Sequence, residues 1–226
     1  DKAFSFEDAP AVALLVNSPG GSPVQSKLIH DRIRQLAEEK KKPVAAFCED
    51  AAASGGYMIA IAADEVFCDA ASIMGSIGVI SASFGFHEAM EKLGVERRLR
   101  TAGENKSLMD PFSPATKEQE ERLDRLMGAI HEVFIEMVKS RRGARLGDDP
   151  DIFSGAVYTG AQAQAAGLVD GLADIRTEMR ERYGEEVRLK VVNPPRGGAL
   201  ARLMPTAAAA LFDEAERRSL WARLGL

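Results

Sequence analysis

The 226-residue chain has 46% hydrophobic and 28% charged residues, which is ordinary for a globular protein and enough for one α/β domain with a buried core. Its formal net charge of −5 does not provide the basic face of a nucleic-acid-binding protein, so we expect no nucleic-acid partner. No apolar run reaches the roughly 18 residues that a membrane span requires.

Strand and helix patterns alternate along the chain, which predicts a layered α/β fold. We expect strands at residues 12–16, 44–48, 66–68, 77–80, 95–99 and 187–192. We expect helices at residues 23–42, 54–63, 86–93, 117–142, 160–166 and 173–183. Residues 1–193 are predicted to form the main domain, and residues 194–226 a linker and a C-terminal amphipathic helix. Because the chain opens on an apolar strand, we also expect that a first strand and a membrane anchor precede it in the full protein.

Two helix starts carry recognisable caps. Ser22 stands at an N-cap position with Pro23 as the first helical residue. Thr116 and Gln119 have the spacing of a capping box before the longest helix. Cys48 lies in an apolar strand, as does Cys68 further along the chain, so we expect both to be reduced core residues rather than a disulfide.

Two glycine-rich turns follow apolar strands, and each opens a helix: residues 17–21 (NSPGG) and residues 53–57 (ASGGY). Parallel strands place such turns at the same edge of a sheet. The second turn presents a small nucleophilic hydroxyl, Ser54, and the amides of Gly55 and Gly21 could bind a developing oxyanion. An isolated Ser-Gly-Gly is more often a plain helix cap, and the first turn alone is at least as typical of an ordinary tight turn. Together they favour an acyl-transfer site.

A nucleophilic serine needs a base, and the histidines do not supply an obvious one. His30 and His131 fall within predicted helices, and His87 opens a short helix without a motif around it. No spacing typical of a metal site is present. A lysine base must be desolvated, because an unperturbed lysine has a pKa near 10.4 and efficient catalysis needs roughly 7–8. Lys106 is the best candidate, in the non-periodic segment 101–114 that we interpret as an active-site loop or an oligomer contact.

Four motifs in order, at residues 17–21, 53–57, 74–79 and 103–107, closely resemble those of the signal peptide peptidase A family of serine peptidases, in its SohB-like branch. The segments at residues 158–163 and 167–170 fit the same pattern. The resemblance implies a Clp/crotonase-like fold of repeated ββα units with a C-terminal helical extension. It also implies a catalytic dyad of Ser54 and Lys106, with Ser76 orienting the lysine and with Gly21 and Gly55 as oxyanion-hole amides.

The resemblance further implies a peptidase that acts on signal peptides or other unfolded chains, forms ring-shaped homo-oligomers, associates with a bacterial membrane, and uses no metal or organic cofactor. Three alternatives remain at this stage. A Clp-type dyad would need a histidine, and none occurs in the 30 residues after Ser54. A crotonase-like acyl-CoA enzyme would use carboxylates such as Glu49 or Asp50. An inactive scaffold would keep the fold alone.

Overall fold

The structure is a computed structural model that describes residues 1–192, 218, 219, 221, 222 and 224. It is a mixed α/β fold, as the alternating pattern predicts. The strands are β1 Val12–Ser18, β2 Val44–Ala53, β3 Glu65–Cys68, β4 Ile73–Gly75, β5 Val157–Thr159 and β6 Gly171–Leu172. The helices are α1 Pro23–Lys40, α2 Gly55–Ala60, α3 His87–Lys92, α4 Lys117–Arg142, α5 Gly160–Ala165 and α6 Ile175–Tyr183. The predicted linker and C-terminal helix, residues 194–226, lie almost entirely outside the described residues.

Within the described part of the chain, six strands form one sheet around the long strand β2. β1 runs parallel to β2 on one side, and β3 and β4 pair in parallel with successive parts of β2. β6 is parallel to β3, and β5 is antiparallel to β4. The parallel pairing brings the ends of β1 and β2 to the same edge, because Ser18 lies opposite Ala52.

Alternating residues of β2 build two apolar layers on opposite faces of the sheet. Val44, Ala46 and Cys48 belong to the main core, whereas Ala45 and Phe47 belong to a smaller cluster with Met179 of α6. The predicted state of the two cysteines is confirmed: both are free and buried. Burial raises the pKa of the Cys48 thiol, and it raises that of Cys68 to about 11. Both cysteines are therefore unreactive core residues.

The two predicted helix starts are confirmed, although only one uses its cap side chain. Thr116 accepts from the Gln119 amide, and the Gln119 side chain accepts from the Thr116 amide, so the capping box before α4 is complete. Ser22 is the N-cap of α1, with Pro23 following, but its side chain makes no capping hydrogen bond.

Three predicted strands are wrong, at residues 77–80, 95–99 and 187–192. The first fails because β4 ends at Gly75, where φ is 88°, and Ser76 continues the turn with φ at 51°. The other two were suggested by apolar residues that prove to be exposed: Val95 is 53% and Val191 is 73% exposed. An apolar pattern indicates a strand only where a neighbouring strand and a buried face are available.

Candidate active site

Ser54 joins the end of β2 to the start of α2 in a conformation that serine rarely adopts. Its φ is 52° and its ψ is −121°, so it lies in a region that strains a residue with a side chain. Its amide donates a 2.8 Å hydrogen bond to the Gly75 carbonyl at the end of β4. A serine on a sharp, strained turn between strand and helix presents its hydroxyl outward, which is the geometry of a nucleophile elbow.

The glycine turn after β1 lies directly against this serine. A Cβ atom on Gly20 would lie 3.0 Å from Ser54 Cβ and 3.3 Å from Ser54 Oγ, and the φ of Gly20 is 129°. Only glycine satisfies both the backbone angle and the space. The prediction that the two glycine-rich turns share one edge of the sheet is therefore confirmed by the coordinates.

Two backbone amides converge beside the serine. A Cβ atom on Gly55 would lie 3.2 Å from the Gly21 nitrogen, so the two predicted oxyanion amides are close neighbours. Gly55 is the first residue of α2, where an amide has no partner inside the helix. Neither amide donates a hydrogen bond to another described residue. Paired free amides next to a nucleophile can bind the negative charge of a tetrahedral intermediate.

Ser76 also lies close to this arrangement. It follows the Gly75 carbonyl that accepts from Ser54, its φ is 51°, and its own amide donates to the Ala156 carbonyl at 2.7 Å. The backbone at the end of β4 is thus fixed both to the nucleophile turn and to the segment before β5.

Lys106 is placed differently. It lies in a turn where its amide donates to the Gly103 carbonyl, and its side chain is exposed. No hydrogen bond or ion pair joins its ammonium to any residue that the structure describes, including Ser54 and Ser76. The single chain therefore brings together Ser54, Gly21, Gly55 and the backbone beside Ser76, but it does not bring Lys106 into hydrogen-bond contact with them.

The loop that carries Lys106 is attached to the α3 region. Arg97 forms an ion pair with Asp110 at 3.2 Å, and the Phe86 amide donates to the Pro111 carbonyl. The Phe86 and Phe112 rings stack with their centroids 5.8 Å apart. We call residues 80–114 the outer segment. Its helix, α3, contains no buried residue.

Residues 36–189 match the model of peptidase family S49, which covers more than half of the chain. The chain belongs to peptidase family S49.

Among similar proteins, a Na(+)/H(+) antiporter NhaA of Brucella abortus is 52% identical over the whole chain, which spans only 33% of that protein. A protein of Methanocaldococcus jannaschii named as a protease is 35% identical over 73% of the chain and 52% of its own length. The chloroplastic serine protease SPPA of Arabidopsis thaliana is 30% identical over 73% of the chain and 24% of its own length. The chain thus spans between a quarter and about half of these relatives.

The matched family is described as a peptidase family, and the Arabidopsis relative is named as a serine protease. The relative named as an antiporter is about three times as long as this chain, which matches only a third of it. None of the described helices is both long and apolar enough to cross a bilayer. The described residues also contain no group of three or more histidine, cysteine or acidic side chains that could hold a metal ion.

The histidines of the S49 domain make their described hydrogen bonds with residues other than Ser54. His30 is buried in α1 beside Asp31, and burial lowers its pKa although the Asp31 carboxylate opposes the shift. His131 contacts the Ile77 carbonyl at 2.9 Å from α4. His87 stands at the start of α3. None of them forms a hydrogen bond with Ser54.

The sequence patterns missed two residues that pack against the nucleophile turn. Ser26 of α1 is buried, and a Cβ atom on Gly55 would collide with its Oγ. Tyr57 is a fully buried residue of α2, and its hydroxyl donates to the Leu168 carbonyl at 2.7 Å. A buried position within a helix gives no chemical signature in one sequence. Tyr57 did stand inside the ASGGY motif, which could have drawn attention to it.

Proposed function

We propose that this chain is an endopeptidase in which Ser54 is the nucleophile and Lys106 is the general base. The observation that carries the proposal is the strained Ser54 turn, with the free amides of Gly55 and Gly21 beside it. Such a turn is costly to fold, so a functional reason is expected for it.

In the proposed reaction, neutral Lys106 takes the Ser54 proton as Oγ attacks the carbonyl carbon of a peptide bond. The amides of Gly21 and Gly55 donate hydrogen bonds to the oxyanion, and Ser76 orients the lysine amine. The protonated lysine then gives its proton to the leaving amine, and an acyl-enzyme remains on Ser54. Water, deprotonated by the same lysine, hydrolyses this ester and restores the serine.

A lysine base works only where water is excluded, and in the single chain Lys106 is exposed. We propose that a ring-shaped homo-oligomer covers the outer segment and excludes water from the active site. The outer segment supports this, because it exposes large apolar side chains that a second copy could bury: Phe84 is 78% and Leu93 is 77% exposed.

For the substrate we propose signal peptides or other unfolded polypeptides, bound as an added strand. β1 supports this mode. Among the described strands it pairs only with β2, so its other edge is open beside the glycine turn. Leu15 on this strand is 55% exposed and offers an apolar contact. The proposal includes the Clp/crotonase-like architecture of repeated ββα units, and association with a membrane.

The test is hydrolysis of an unfolded, fluorescently labelled casein by the full-length protein and four variants. Ser54→Ala and Lys106→Ala should each abolish cleavage, and Lys106→Arg should not restore it because a guanidinium cannot act as the base. Lys92→Ala, which removes another exposed lysine of the outer segment, should cleave normally. Cleavage retained in Ser54→Ala would reject the peptidase proposal, and cleavage retained in Lys106→Ala would reject the dyad.

A further inference from the structure

The Tyr57 hydroxyl links the nucleophile helix to a distant part of the chain. Tyr57 is fully buried, and it donates a 2.7 Å hydrogen bond to the carbonyl of Leu168, a residue 111 positions later. Burial raises the pKa of Tyr57, so the phenol stays protonated and remains a donor. Leu168 is itself fully buried, so its carbonyl has little access to water as an alternative partner.

Further hydrogen bonds fix the turn around Leu168. The Leu168 amide donates to the Ala163 carbonyl of α5 at 2.8 Å. Arg142, at the end of α4, donates through Nε to the Gly167 carbonyl at 2.8 Å. A carbonyl fixed by bonds on both sides is a rigid anchor for whatever hydrogen-bonds to it.

An ion pair between the buried Arg142 and the partly buried Asp170 also holds this turn. Arg142 also contacts Asp170 at 2.7 Å, and the Val66 amide donates to the same carboxylate. Burial alone would raise the pKa of Asp170, but the hydrogen bonds from Arg142 and Val66, together with the positive charges of Arg142 and Arg145, hold the pKa below its ordinary value. The carboxylate therefore stays charged at neutral pH and keeps the turn tied to β3.

The nucleophile helix needs such an anchor. α2 has only six residues, and the strained Ser54 stands at its N-cap. A strained residue persists only where surrounding contacts over-determine its conformation. Arg141 holds the C-cap of this helix by donating to the Ile61 carbonyl, and at the other end the Ser54 amide donates to the Gly75 carbonyl. Tyr57 is one helical turn further along and fixes the rotation of α2.

We propose that Tyr57 is a positioning residue: by bonding to the Leu168 carbonyl, its hydroxyl holds α2 so that Ser54 and the Gly55 amide keep their reactive geometry. This inference rests on the proposed function, because it assigns Tyr57 a role in that reaction. Tyr57 does not touch the substrate, so it affects the rate of chemistry rather than binding.

The test compares Tyr57→Phe with Ser72→Ala in the full-length protein. Tyr57→Phe keeps the ring and removes only the hydroxyl. Ser72→Ala is the matched control, because Ser72 is also buried and donates to a backbone carbonyl, that of Glu49. With a fluorogenic apolar peptide, and well below each variant's unfolding temperature, Tyr57→Phe should lower kcat by about 10- to 100-fold with little change in KM. Ser72→Ala should lower stability and leave kcat within about twofold.

A fluorophosphonate probe separates geometry from misfolding. When labelling is complete, the labelled fraction of Tyr57→Phe should equal that of wild type. The labelling rate of Tyr57→Phe should be lower by the same factor as its kcat. An unchanged kcat in Tyr57→Phe, or an equal loss in Ser72→Ala, would overturn the inference. A loss of labelled fraction in step with kcat would also overturn it, because the role would then be structural. If Ser54→Ala still cleaves the peptide, the proposed function fails instead.

Discussion

Ser54 adopts a backbone conformation that favours glycine, and the glycines around it explain how the fold accommodates it. Gly20 allows one turn to approach the serine closely, and Gly55 allows α2 to begin beside Ser26. Lack of space for a side chain thus favours glycine at positions 20 and 55, whereas a Cβ atom at Gly21 would meet nothing within 4 Å. A side chain at Gly20 or Gly55 would displace the nucleophile turn.

We predict that Gly20→Ala lowers kcat by about 100-fold, because the new methyl group would press on Ser54 Cβ and shift both the nucleophile and an oxyanion donor. Initial rates of peptide hydrolysis and the denaturation midpoint measure the two effects. The matched control is Gly184→Ala, which places a methyl group at φ 91° with nothing within 4 Å, outside the outer segment. It should cost stability without costing activity, and equal activities in the two variants would contradict the prediction.

At this scale the sequence predicted that the two glycine-rich turns lie side by side, and the catalytic roles of their residues stay predictions. Ser54, Gly21 and Gly55 could be named because glycine-rich turns after parallel strands meet at one edge. Ser26 and the partner of Tyr57 could not be found, since both depend on contacts across the fold. Lys106 was nominated by its loop and by the family resemblance, and its role stays a prediction.

Among the secondary-structure elements, the two helix caps show that a residue can occupy the N-cap position without making a capping hydrogen bond. Thr116 completes a capping box, whereas Ser22 occupies the N-cap of α1 without a side-chain bond. Local sequence predicted both positions. It could not predict whether the hydroxyl reaches the amide, because that depends on the entry angle of the preceding chain.

We predict that Thr116→Ala costs about 1 kcal/mol of unfolding free energy, because it leaves the Gln119 amide without its acceptor. Ser22→Ala should cost less than about 0.5 kcal/mol. Denaturant titration of the two variants gives the comparison directly. A larger loss in Ser22→Ala than in Thr116→Ala would show that the α1 cap forms in solution after all.

Helix α1 also contains a group that should make stability depend on pH. Burial lowers the pKa of His30. The Asp31 carboxylate opposes this shift, whereas the positive charges of Arg141 and Lys27 add to it. The folded state therefore favours the neutral ring. The contribution to stability is complete above the ordinary histidine pKa of about 6.5, and it is lost as the pH falls below that value.

We predict that the drop in denaturation midpoint between about pH 7.5 and pH 5.5 is smaller in His30→Gln than in wild type, because glutamine does not titrate. The measurement is a urea titration at each pH. An identical drop in both proteins would mean that His30 does not contribute to acid sensitivity.

At the scale of the whole molecule, the chain combines a well-packed sheet domain with an outer segment that buries little of its apolar surface. The sheet and its two apolar layers follow from strand periodicity, so most of the core could be predicted. The outer segment could not: its apolar residues predicted a strand at 95–99, yet they face solvent. Patterns in one chain do not show whether apolar residues pack within that chain or against a second copy.

We predict that Phe84→Glu combined with Leu93→Glu shifts the protein to smaller assemblies and lowers peptidase activity, because the charges would oppose burial of the outer segment. Light scattering after size-exclusion chromatography gives the mass. A matched pair, Lys92→Glu with Glu91→Lys, changes exposed charges in the same helix and should leave the mass unchanged. A wild-type protein that is already monomeric and fully active would contradict the oligomer proposal.

The most direct measurement is mass spectrometry of the full-length protein after treatment with a fluorophosphonate. We predict one adduct, on the peptide that contains Ser54, and a labelling rate at least about 100-fold lower in Lys106→Arg. A protein that hydrolyses peptides while Ser54 stays unlabelled, or that labels equally fast without the amine of Lys106, would contradict the account.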